Sequence, residues 1–123
     1  MARILVVDDH PLVRKAMRDV LLLAEHDVLE AQNGHEAEAA VATEAPDLVL
    51  LDIMMPEQDG IETILALRRT YPALRILAMS AGGHGRPDFL TAAKTFGADA
   101  VLQKPFDGPQ LIEMIDGMLA PKP

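Results

Sequence analysis

Short runs of apolar residues alternate along the chain with longer segments in which apolar positions recur at helical spacing. Residues 3–7, 27–31, 47–51, 74–79 and 99–103 are rich in Val, Ile and Leu. Each run is followed by turn residues and then by a helix-like pattern, so the spacing predicts a strand followed by a helix, five times over. The first helix is predicted from Pro11 to about Ala24, with Pro11 at a first-turn position and Leu12, Met17, Leu21 and Leu22 on or near one face. The second spans Gly34 to Glu44 and stops before Pro46, which disfavours helix at Ala45. The third runs from Gly60 to Thr70 and is stopped by Tyr71-Pro72. Another is predicted from about Asp88 to Phe96, with Gly97 as its C-terminal cap. The last extends from about Asp107 to Leu119 and presents Leu111, Ile112, Ile115, Met118 and Leu119.

Such alternation implies an α/β domain: a parallel sheet with helices on both faces, joined by right-handed crossovers. Ligands of these sheets bind at the carboxyl ends of the strands. The residues at those ends are Asp8 and Asp9 after the first strand, Asp52 after the third, Ser80 after the fourth and Lys104 after the fifth. Three carboxylates meeting at one edge require a divalent cation, a shared proton or an electrophile, and a hydroxyl and an amine converge on the same place.

Composition narrows the chemistry further. The 123 residues suffice for one domain, read here as 1–119 with a disordered tail over 120–123, and 50% apolar with 24% charged residues is a globular composition. A formal charge of −8 with scattered Lys and Arg argues against direct nucleic-acid binding. No run approaches the ~18 apolar residues of a membrane span, and the N-terminus lacks a signal-peptide core, so a cytoplasmic protein without membrane contact is expected. There is no cysteine, and the four histidines have no paired ligand spacing, which disfavours a zinc site. The stretch from Gly82 to Pro87 is the one Gly-dense segment and is expected to be the most mobile loop.

Val-Asp-Asp-His at 7–10, Leu-Asp-Ile-Met-Met-Pro-Glu-Gln-Asp-Gly at 51–60, Met-Ser-Ala at 79–81, Gly-Ala-Asp at 97–99 and Lys-Pro-Phe at 104–106 together resemble the receiver domain of two-component response regulators. The resemblance implies a flavodoxin-like, doubly wound sheet of strand order 2-1-3-4-5. It implies that Asp52 accepts a phosphoryl group from a sensor histidine kinase or a histidine phosphotransfer protein. It further implies Mg²⁺, or Mn²⁺, held by Asp8, Asp9, Asp52 and the backbone carbonyl of Met54, with Ser80 and Lys104 on the phosphoryl oxygens. Lys104-Pro105 resembles the cis bond of the family. Ala81, Gly82, Val101 and Pro105 stand at its switch and structural positions. The implied activity is self-phosphotransfer and autodephosphorylation, not turnover of an external substrate. The surface made by the Asp88–Phe96 helix, the fifth strand and the last helix would then control a downstream protein or an appended effector domain.

This chain departs from the family pattern at Val101 and Met114, and Gly82 stands at a variable pocket position. Val101 replaces the usual aromatic residue, so the expectation is either coupling through the loop after Ser80 and the Asp88–Phe96 helix or weak coupling, and not ring rotation. Gly82 offers no side chain to shield a phosphoryl group from water, so rapid to intermediate self-dephosphorylation is expected. Met114 stands about where one large branch of transcription-factor receivers carries an arginine, which disfavours that branch. Two other readings stay open on the residues alone: a receiver-like scaffold that binds partners without phosphorylation, and a Mg²⁺-dependent phosphohydrolase with an aspartate nucleophile.

Overall fold

The structure is a computed structural model, and it describes residues 2–53, 60–80 and 93–120. Strands β1 (Arg3–Val7), β2 (Asp27–Ala31), β3 (Leu48–Asp52), β4 (Arg75–Ser80) and β5 (Ala100–Gln103) alternate with helices α1 (Pro11–Leu23), α2 (Gly34–Glu44) and α3 (Gly60–Thr70), and α4 (Gly108–Leu119) closes the fold. Residues 93–96 are helical, as expected for the end of the Asp88–Phe96 helix, whose remainder lies outside the described residues, as do the Gly-dense stretch and residues 121–123. All strand pairs are parallel, in the order β2-β1-β3-β4-β5.

The continuous apolar runs follow from this order. Strands β1, β3 and β4 are interior, covered on both faces, and Ile4–Val7, Leu48–Asp52 and Ile76–Ser80 are buried throughout. Strand periodicity divides their side chains between two cores. Leu5, Val7, Val49, Leu51, Ile76 and Ala78 pack with Ala37 and Val41 of α2 and Ile64 and Leu67 of α3. Ile4, Val6, Leu48, Leu50, Leu77 and Met79 pack with Met17 and Leu21 of α1 and Leu111 and Ile115 of α4. Each such buried aliphatic side chain contributes about 1.5–3 kcal/mol relative to exposure.

The helix boundaries have local causes. Asn33 accepts a hydrogen bond from the Glu36 N–H at the start of α2, and Ala45, at φ 46°, ends that helix before Pro46. Asp107 and Gln110 form a reciprocal capping box at α4. Gly60 packs the start of α3 onto the exit of β3, where a Cβ would lie 2.3 Å from Ile53 Cα, so no larger residue fits.

Three expectations need correction. Leu12 is 82% exposed and Leu22 50% exposed, whereas Met17 and Leu21 are buried. Met17 stands five positions after Leu12, an offset of about 140° around the helix, so the buried stripe of α1 is narrower than its apolar composition suggests. Strand β3 starts at Leu48 and not Asp47, because the Asp47 carboxylate accepts the Arg3 N–H at 2.8 Å and so works as a side-chain bracket between β1 and the start of β3. Asp52 and Ser80 are the final residues of their strands and not the first residues after them.

Candidate functional site

The strand registers bring the expected residues to one edge. Val7 pairs with Leu51, Asp52 with Met79 and Ser80 with Gln103, so Asp8, Asp52, Ser80 and Lys104 leave the sheet at nearly the same level. Asp8, Asp52 and Ser80 are buried, and Lys104 is half-buried. The Lys104-Pro105 peptide bond is cis, and the Lys104 N–H donates to the Ser80 carbonyl at 2.7 Å.

The lysine amine spans the edge. Its Nζ lies 3.4 Å from Asp8 Oδ2 and 3.3 Å from Asp52 Oδ2, joining the ends of β1 and β3 from beyond β5. Charge-assisted N–H···O bonds normally close to about 2.7–2.9 Å, so one amine is shared loosely between two carboxylates. A loosely held cation can follow a new negative charge at little cost, which a tight pair could not do.

Asp8 is fixed through its backbone as well as its side chain. Its N–H donates to the Ala31 carbonyl at 3.1 Å, and its own carbonyl accepts from Arg14 Nη1 at 2.7 Å. Arg14 is itself held by Glu30 at 3.0 Å, so the end of β2 steadies the acid turn. Asp8 Oδ1 also accepts the His10 N–H at 2.9 Å. Asp9 is different: its Oδ1 is buried and has no hydrogen-bond partner among the described residues. Burying a carboxylate oxygen without a partner is costly, and a cation would relieve it, so the acid pair fits a divalent metal.

Asp8, Asp9 and His10 can each offer one ligand atom, with all three within 4.8 Å of one another. His10 was not among the expected ligands. Histidine spacing alone passes over it, and the available signal was its position directly after the acid pair at the end of an apolar run. Met54, Ala81 and Gly82, by contrast, lie outside the described residues. Val101 is half-buried opposite Ala78 and packs against the core shared by α2 and α3. No described helix is long and apolar enough to cross a membrane.

Known proteins resemble this chain in sequence and fold. The response regulator receiver domain family matches residues 4–116. Response regulator MprA of Mycolicibacterium vanbaalenii is 39% identical over 117 residues, covering 95% of this chain and 50% of MprA, so the chain spans about half the length of that relative. Chemotaxis protein CheY of Bacillus subtilis is 35% identical over 118 residues, which is 95% of this chain and 97% of CheY. Among solved structures, response regulator TrrA of Thermotoga maritima in complex with Mg²⁺-BeF superposes with a TM-score of 0.85 at 33% identity, covering 97% of this chain and 100% of TrrA. With a parallel five-stranded sheet of the same strand order and the acid, hydroxyl and amine gathered at its carboxyl edge, the chain belongs to the response regulator receiver domain family.

Proposed function

We propose that this receiver accepts a phosphoryl group on Asp52. A carboxylate oxygen of Asp52 attacks the phosphorus of a phosphohistidine, the O–P bond forms as the P–N bond breaks, and the leaving imidazole takes up a proton from water. The observation that carries this assignment is the shared position of Lys104 Nζ between Asp8 and Asp52. The ammonium is already beside the nucleophile and needs only a short shift to pair with a phosphoryl oxygen. Ser80, at the end of the neighbouring strand, supplies a hydroxyl to a second oxygen. Asp8, Asp9, Asp52 and the Met54 carbonyl would hold Mg²⁺ or Mn²⁺, which when bound neutralises the acids and orients the phosphoryl oxygens. The Mg²⁺-BeF complex of TrrA supports this choice of ion. Water then hydrolyses the acyl phosphate and resets the domain, and no external substrate is turned over.

The phosphodonor is a sensor histidine kinase or histidine phosphotransfer protein, and the exposed apolar end of α1 suits such a partner. Leu12 is 82% and Val13 39% exposed. With Ala16 and Phe106 they line a concavity of about 430 Å³ that also includes Lys104. A donor helix seated there would carry its histidine to within reach of Asp52. The phosphoryl signal passes to the surface formed by the Asp88–Phe96 segment, β5 and α4, where Leu102, Met114 and Met118 line a second concavity. That surface would contact a downstream protein or an appended effector domain. A cytoplasmic setting fits this role, and neither nucleic acid nor membrane is a direct partner in it.

Acetyl phosphate with Mg²⁺, followed by intact-protein mass spectrometry, tests the assignment. The wild type and Asp19→Asn, a change on the exposed side of α1, should gain one phosphoryl adduct, and Asp52→Asn should gain none. An adduct of wild-type yield on Asp52→Asn would refute the assignment.

A further inference from the structure

We propose that His10 is a nitrogen ligand of the acid-pair cation site, and that it makes this site favour borderline transition cations such as Co²⁺, Ni²⁺ or Zn²⁺ over Mg²⁺. The inference rests on the reading that Asp8 and Asp9 hold a divalent cation, and it adds to that reading a residue that selects the ion.

Three observations carry it. The first is spacing. His10 Nδ1 lies 3.2 Å from Asp9 Oδ1 and 3.5 Å from Asp8 Oδ1. Ligands bound at about 2.1 Å lie about 3.0 Å apart at octahedral angles and about 3.4 Å apart at tetrahedral ones, so the imidazole nitrogen already sits at the separation of neighbouring ligands.

The second is direction. At 3.2 Å a ring N–H aimed at Asp9 Oδ1 would be a hydrogen bond, yet this buried oxygen has no hydrogen-bond partner among the described residues. The nitrogen and the oxygen therefore lie side by side and not head to head. Two donors that face a common point adopt that disposition, and a histidine–carboxylate hydrogen bond does not.

The third is that the ring does not cap its own helix. His10 is the N-cap residue of α1, but its side chain makes no capping hydrogen bond. The helix start is held instead by backbone: the His10 N–H donates to Asp8 Oδ1 at 2.9 Å, and the His10 carbonyl accepts the Arg14 N–H at 2.9 Å. The backbone is thus anchored on both sides while the imidazole, 70% exposed, can turn toward or away from the acids without disturbing the core.

The chemical consequence follows from ligand softness. Imidazole strengthens binding of Co²⁺, Ni²⁺ and Zn²⁺, whereas Mg²⁺ takes oxygen ligands and keeps its waters. With the ring turned out, the acids alone serve Mg²⁺; with it turned in, the site is a mixed oxygen and nitrogen set.

Metal-stripped full-length protein, titrated by calorimetry with Mg²⁺ and separately with Ni²⁺, tests the proposal, with the visible absorption of bound Co²⁺ as a direct report on nitrogen ligation. His10→Ala should raise the Ni²⁺ dissociation constant about tenfold or more and change the Co²⁺ spectrum, while moving that of Mg²⁺ less than about twofold. His35→Ala, which removes a histidine of α2, should behave as wild type with both ions. Asp9→Asn should weaken both. Unchanged Ni²⁺ affinity in His10→Ala, with Mg²⁺ binding still lost in Asp9→Asn, would overturn the role of His10 and leave the acid site standing. Mg²⁺ binding that is indifferent to Asp9→Asn would overturn the cation reading itself.

Discussion

The two ends of the sheet handle charge in opposite ways. At the amino end, opposite charges and backbone carbonyls satisfy one another closely. Arg68 donates to the carbonyls of Gly97, Pro72 and Leu74 and pairs with Asp99 at 2.7 Å. Asp99 also accepts the Ile76 N–H at 2.8 Å, and Arg75 donates to the Met118 carbonyl at 2.8 Å. At the carboxyl end, Asp8 and Asp52 share one lysine at 3.3–3.4 Å, and Asp9 Oδ1 has no hydrogen bond among the described residues. Charges that are closely paired brace the fold. Charges left loosely paired are available to an incoming ion or phosphoryl group, at some cost in stability.

Substitutions at each end should separate these roles. The largest effect is expected from Lys104→Ala, which removes the amine that joins Asp8 and Asp52. Phosphorylation of Asp52 by acetyl phosphate should slow about hundredfold, the usual cost of losing one charge-stabilising donor, while a rate within a factor of two of wild type would erase the contrast. Arg68→Ala should cost about 2–3 kcal/mol of unfolding free energy in urea, because several carbonyls and Asp99 lose their donor, and the folded variant should still form the adduct at the wild-type rate. A slowed adduct would mean that the amino end is not merely a brace.

Leu12→Ala should lower transfer from a phosphorylated donor protein by about tenfold while leaving acetyl phosphate untouched, since an exposed anchor acts on docking and not on chemistry. Equal losses with both donors would place Leu12 in the chemistry instead. The smallest effect is expected from Asp9→Asn, measured without divalent cation. Relief of like-charge repulsion should raise stability by about 0.5–1 kcal/mol, the opposite sign to Arg68→Ala. A loss of stability there would show that Asp9 is paired more tightly than its geometry indicates.

Much of this arrangement is legible in the chain. Runs such as Leu48–Leu51 read as strands because both faces of an interior strand are covered, and the acids stand out because each directly follows such a run. Pro46, Gly60 and Gly97 mark boundaries whose cause is local backbone geometry, and they are found where expected. Leu12 and Leu22 misled for a definite reason: composition labels them apolar, and an exposed apolar side chain has the same chemistry as a core one. Arg68, beside Arg69 on α3, reads in sequence as a solvated basic pair. Its role as a clamp depends on residues about thirty positions away, as its bond to Gly97 shows.

The sequence by itself determined the order of strands and helices, the positions of the acids, hydroxyl and amine at strand ends, and the family, because all of these follow from local periodicity and short motifs. Only the tertiary structure decided which charges meet. Lys104 reaches Asp8 across 96 residues of chain and Asp52 across 52, and the imidazole of His10 lies beside Asp9 Oδ1 instead of capping its helix. Contacts of that kind depend on strand register and side-chain direction, which no local pattern encodes.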